Sequence, residues 1–149
     1  MKPRPKLNWS GRNFVISSLA VLLAYSGSIA IGQTTSGSPW ERVGTYQGRA
    51  LYIDPTTARR SGSRIQIFTI TDLKEPNATA RGRQYFSKKA LLEFDCTKRT
   101  FKVLQDVWYT RRMGQGEPVF QTEGEPQGPY AIQSDSPGEL FWNGACGRR

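Results

Sequence analysis

The sequence predicts an α+β chain, mainly β: a single antiparallel sheet of about five or six strands, with a short C-terminal helix tied to it by a disulfide. Three observations lead there. Short runs rich in β-branched and aromatic residues alternate with turn residues along most of the chain. Near the end, a serine and a proline open a stretch with an apolar side, as at a helix start. Two cysteines, Cys96 and Cys146, stand one in the middle of the strand region and one in that terminal stretch.

The elements follow in order. Trp40–Tyr46 reads as a short strand and Gln47-Gly48 as its turn. Ala50–Asp54 (ALYID) fits a second strand, closed by Pro55, and Ser61-Gly62-Ser63 is the next turn. Arg64–Thr71 (RIQIFTIT) is the clearest strand. It places Ile65, Ile67 and Thr69 on one face and Phe68 and Ile70 on the other, which suits a central position. Lys74–Gly82, with Pro76, Asn77 and Gly82, reads as a loop. Gln84–Asp95 is ambiguous. SKKALLEF has helical propensity, yet Leu92, Phe94 and Cys96 recur at period two, so a strand is expected over the second half.

Arg99–Thr110 alternates, with Phe101, Val103, Val107 and Tyr109 on one face, and Cys96–Lys98 would close a hairpin with the preceding strand. Met113–Gly116 is a turn, Pro118–Thr122 a short edge strand, Glu123–Gly128 a loop, and Tyr130-Ala131-Ile132 packs back on the sheet. Ser134 or Ser136 then caps a helix with Pro137 in its first turn. It runs from Gly138 toward Cys146, with Leu140, Phe141 and Ala145 on its apolar side.

Residues 1–32 stand apart from this pattern. Lys2, Arg4, Lys6 and Arg12 precede an uncharged apolar run from Phe14 to Gly32, the layout of a secretory signal peptide. The alternative is an uncleaved membrane anchor, for which the run is only just long enough. Residues 33–39 are a polar linker, and the domain occupies 40–149. Four of the 21 basic residues and none of the 12 acidic ones lie in 1–32, leaving the remainder with a net charge of +5 rather than +9. That remainder is basic without being extreme, and with export it argues against a nucleic-acid partner. The membrane is a partner only if the N-terminal segment is retained.

Export also decides the cysteines. In an oxidising compartment, two thiols are the minimum for one bridge, so Cys96 and Cys146 are expected to pair. The bridge would close a loop of about 50 residues, worth on the order of 4 kcal/mol in the chain-entropy picture. Metal binding lacks ligands: the chain has no histidine, and two thiolates cannot fill a tetrahedral site. A catalytic cysteine lacks an activating base. No cofactor is expected.

The order Trp40, Tyr52-Ile53-Asp54, the RIQIFTI strand, Ser87-Lys88, LLEFDC at 91–96, Tyr109, aromatic-x-Ile at 130–132 and the terminal Cys146 resembles the surface-adhesin protein E-like family of Gram-negative bacteria. The likeness spans about residues 40–147, and the E-F-D-C element with a second cysteine near the C-terminus is its most specific part. It implies one antiparallel sheet, a C-terminal helix held by a disulfide, an extracytoplasmic location and an adhesive role without catalysis. The chain departs from the family in lacking a lipid-anchor cysteine after the apolar run, and Tyr130 stands where tryptophan is expected.

The candidate binding residues are the basic pairs Lys88-Lys89, Lys98-Arg99 and Arg111-Arg112. On a hairpin, the first and third pairs fall toward the open end and the second at the tip. Such a strip suits acidic partners: an extracellular matrix protein, a sulfated glycan or an anionic envelope component. The competing reading is a solvated surface whose edge charges discourage aggregation, on a structural or accessory envelope protein with no host ligand. Asp54, Glu93, Asp95 and Asp106 are the carboxylates weighed for catalysis. They are expected to face solvent or brace turns, because catalytic acids need a perturbing pocket.

Overall fold

A computed structural model describes residues 37–122 and 124–147. The expected export segment and most of the linker lie outside the described residues. Among the described residues, seven strands form one antiparallel sheet, more than the five or six expected. They are β1 (Glu41–Tyr46), β2 (Arg49–Ser61), β3 (Arg64–Ala78), β4 (Gln84–Asp95), β5 (Thr100–Tyr109), β6 (Pro118–Gln121) and β7 (Gln127–Ala131), followed by helix α1 (Pro137–Cys146). β1 to β6 pair in chain order, and β7 pairs β5 as well. The outer edge of β5 is therefore shared: Val107–Tyr109 meets β6, while Thr100–Val103 meets β7.

Two strands outrun their sequence limits for one reason. Pro55 does not close β2, and Pro76 does not open a loop; each lies inside a bulge where the ladder is interrupted, the place where a strand tolerates a residue with no N–H. In β2 the gap is bridged by side chains. The Thr56 amide donates to Asp54 Oδ1 at 3.0 Å, and the Phe68 amide of β3 donates to Thr57 Oγ1 at 3.1 Å. Pairing then resumes at Arg59. β3 likewise continues to Ala78, so Thr79–Gly82 is the turn. β4 is extended throughout. Its helical propensity loses to pairing on both sides, against β3 and β5.

A bulge also corrects the face assignment in β5. Val103 pairs with Leu92 and Gln105 with Leu91, so Leu104 is an extra residue. One inserted residue exchanges the two faces beyond it. Phe101 and Val103 therefore share the helix-covered face with Asp106 and Trp108, while Val107 and Tyr109 fall on the opposite face.

The core lies under α1. Leu51 and Ile53 from β2, Ile65 and Ile67 from β3, and Leu92 and Phe94 from β4 meet Phe141 and Ala145 of the helix. Burying Phe141 alone contributes about 1.5–3 kcal/mol. Ser136 caps the helix, its hydroxyl accepting from the Glu139 amide at 3.2 Å. Gly144 sets how closely the helix approaches β1: a Cβ there would stand 2.5 Å from Val43 Cγ1. The expected Cys96–Cys146 bridge is present, with Cα atoms 5.6 Å apart. It joins the end of α1 to the β4–β5 turn. A ten-residue helix is marginal alone, so this tether and the apolar seam together hold it down.

Candidate binding surface

The β4–β5 hairpin and the segment that follows it carry the three candidate basic pairs. Lys98-Arg99 sits at its closed tip, and Lys88-Lys89 and Arg111-Arg112 sit toward its open end. The two ends are about seven residues apart, or roughly 23 Å at strand rise. Lys88 and Lys89, adjacent on β4, point to opposite faces, and the other two pairs lie in the segments before and after β5, so the six cations do not form one continuous strip.

At the tip, Asp95 organises the turn. Its Oδ1 accepts from the amides of Thr97 and Lys98 and from the Thr97 hydroxyl. The Thr97 hydroxyl and these amides hold its carboxyl below the usual carboxylate range, the reverse of what a general acid requires. Arg99 pairs with Glu139 at 3.0 Å and lies over the Trp142 ring, 4.5 Å from its centroid. Lys98 is exposed and projects from the turn. A shallow hollow of about 200 Å³ beside it brings Arg64 and Lys102 together with Glu93 and Asp95. Glu93 accepts from Gln66 Nε2 at 2.9 Å.

At the open end, the segment 110–117 folds back over the face of the sheet opposite α1. Its docking point is Asp72, whose side chain is fully buried. Asp72 Oδ2 accepts from Arg112 Nε at 2.9 Å and Nη2 at 2.6 Å, and Oδ1 accepts from the Met113 amide at 2.7 Å. Ser87, also buried, donates to the Arg111 carbonyl at 2.6 Å and accepts from the Gly114 amide at 2.9 Å. Arg112 thus anchors a loop as well as adding charge, and the hydrogen bond and charge of Asp72 raise its pKa. Arg111 is exposed. Lys89 lies on the same face as the docked loop, 4.9 Å from the Phe68 centroid and 5.8 Å from that of Trp40.

Lys88 turns the other way, into the helix-covered side. Its Nζ stands 3.7 Å from the Trp108 centroid and 5.2 Å from that of Tyr85. Burial lowers its pKa, with Asp106 opposing and Arg49 assisting. Asp106 accepts from Trp108 Nε1 at 2.7 Å, and burial raises its pKa against that hydrogen bond and the Lys88 charge. Trp108 also stacks with Phe120 at 4.4 Å and Tyr85 at 4.6 Å. The sequence reading missed Asp72, Ser87 and the Tyr85–Trp108 pair as a working group. Their partners are 20 to 40 residues away, and no local spacing signals them. Among the described residues, no group of three metal-ligating side chains converges.

With this geometry in place, comparison with known proteins adds a relationship. The profile of the family described as Surface-adhesin protein E matches residues 40–147. A crystal form II structure of Haemophilus influenzae protein E superposes with a TM-score of 0.60 at 13% identity, covering 74% of this chain and 89% of that one. The selenomethionine form of the same protein gives 0.58 at 12% identity, covering 75% and 88%. Protein E from non-typeable Haemophilus influenzae gives 0.53 at 12%, covering 77% and 82%. At such identities the likeness is one of fold. Among proteins of curated function, none matches the sequence.

Proposed function

Because the chain belongs to the Surface-adhesin protein E family, we propose that it is an exported, non-catalytic binding domain that engages an acidic partner outside the cytoplasm. The partner class is an extracellular matrix protein, a sulfated glycan or an anionic envelope component. The observation that carries this reading is the exposed charge at both ends of the β4–β5 hairpin. Lys98 and Arg111 project with no acidic partner among the described residues, and the half-paired Arg99 and Arg112 and the ring-stacked Lys89 widen the positive field. Cations around a small domain attract polyanions over about a Debye length, roughly 8 Å at physiological salt. Lys88, on the other face and half-buried, contributes least.

Heparin retention tests it. The exported protein is expected to bind a heparin column at physiological salt. Lys98→Glu with Arg111→Glu should bring elution well below that salt, while Lys88→Met should change elution little. Passage through the column even at low salt would remove the acidic-partner reading and leave an accessory envelope role.

A further inference from the structure

Lys88 faces a cleft, and that cleft has the make-up of a small-ligand site. It lies between the sheet and the start of α1, with a volume of about 190 Å³. Leu92, Phe101, Val103 and Phe141 form an apolar wall. Lys88 and Thr71 stand at one end, where a second cavity of about 110 Å³ begins, lined by Arg49 as well. Lys88 enters no ion pair among the described residues. Its charge rests on two aromatic faces, which stabilise a cation without neutralising it. The Thr71 hydroxyl likewise has no hydrogen-bond partner among the described residues.

We propose that this cleft binds a small amphipathic anion, a monocarboxylate with a short aliphatic or aromatic body. The carboxylate would meet the Lys88 ammonium and the Thr71 hydroxyl, and the body would lie along the apolar wall. Three physical points favour this chemistry. A part-desolvated cation gains more from an anion than a solvated one does, because the local dielectric is low. Pockets with mostly apolar walls and a few converging polar groups are typical ligand sites. The volume suits a free acid of about ten non-hydrogen atoms and excludes a full lipid or a protein segment. Asp106 acts as a brake: it faces the same end, and its charge opposes the incoming carboxylate. This site is independent of the acidic-partner surface, which lies on exposed cations of the hairpin.

The probe is octanoate, titrated into the exported protein by calorimetry and followed by amide shifts in nuclear magnetic resonance. Saturable binding is expected, with shifts at Thr71, Ala90 and Val103. Lys88→Met keeps the side-chain stem and should weaken octanoate at least tenfold, Lys88→Arg should largely restore it, and 1-octanol should bind both variants alike. Asp106→Asn should tighten octanoate several-fold; loosening instead would mean that Asp106 supports the site rather than repelling the carboxylate, and would overturn the placement of that carboxylate at the Lys88 end. Should Lys88→Met lose its fold by circular dichroism, Val103→Trp supplies the test, since it fills the cleft with Lys88 intact and should abolish binding. Octanoate affinity in Lys88→Met or in Val103→Trp equal to that of the wild type, shifts confined to other surfaces, or no saturation at millimolar octanoate would sink the proposal.

Discussion

The two ends of the β4–β5 hairpin face the same problem: a segment that would not stay folded alone must be held against the sheet. At the closed end the segment is α1, and the solution is covalent. Cys96 in the turn holds Cys146 at the last helical position, and Phe141 and Ala145 bury the seam between. At the open end the segment is 110–117, and the solution is polar. Buried Asp72 and Ser87 accept and donate hydrogen bonds to its backbone, and Arg112 adds an ion pair. The covalent tie acts largely on the unfolded chain, by limiting its freedom. The polar dock acts on the folded chain, because unmet hydrogen-bond groups under a loop are costly. The two ends should therefore fail in different ways.

Removing the bridge is the larger perturbation. Cys96→Ser with Cys146→Ser, or reduction in mild denaturant, is expected to cost about 4 kcal/mol of unfolding free energy for a loop of this length. Urea titration measures it. Amide exchange should rise first in α1, while 110–117 stays protected until the sheet itself opens. Uniform loss of protection across both segments would mean the ends are one cooperative unit, not two devices.

Asp72→Ala comes next, at about 2–3 kcal/mol. That estimate rests on leaving the part-buried Met113 amide without its charged acceptor. Here the exchange pattern should invert, with the amides of Met113 and Gly114 opening and α1 unaffected. Arg112→Ala should cost much less, since the Arg112 side chain is 57% exposed and the Met113 amide still meets Asp72. If Arg112→Ala matched Asp72→Ala, the ion pair and not the backbone dock would be holding the loop.

Little of this contrast was legible in the sequence, and the reason is physical. The closed end announces itself: a chain whose start reads as an export segment and which holds two cysteines has one bridge to make, and Ser136-Pro137 marks a helix start by local capping chemistry alone. The family resemblance also rested on that end, on EFDC and the terminal cysteine. Alternation located β3, the later half of β4 and the first half of β5, because half-buried strands repeat at period two. It failed at bulges. Pro55 and Pro76 looked like strand ends because local rules cannot see side chains such as Thr57 completing a ladder. Leu104 exchanged the faces of β5 because a single extra residue is invisible until the register with β4 is known. The open end failed altogether. Asp72 and Ser87 look like ordinary strand polars, and adjacent lysines at 88 and 89 look like one patch, until pairing sends one beneath Trp108 and the other across Phe68.

The smallest effect concerns the two charges on the helix-covered side, where neither end's device operates. Asp106 is raised in pKa chiefly by burial, so its folded-state value lies above the value near 3.8 that it has when unfolded. A group of that kind favours the folded state at low pH, and its contribution is lost as pH rises through the folded pKa. Lys88, lowered chiefly by burial, opposes folding below about 10.5 and therefore across the neutral range. Asp106→Asn keeps an oxygen to accept from Trp108 Nε1 but removes the buried charge. The melting temperature of the variant should equal that of the wild type near pH 3 and exceed it by a few degrees at pH 7. Thermal melts followed by circular dichroism across that range provide the check. A variant less stable at pH 7 than at pH 3, relative to wild type, would show that attraction to Lys88 outweighs the desolvation of Asp106. The cleft would then be occupied by its own ion pair, with no charge left over to recruit a ligand.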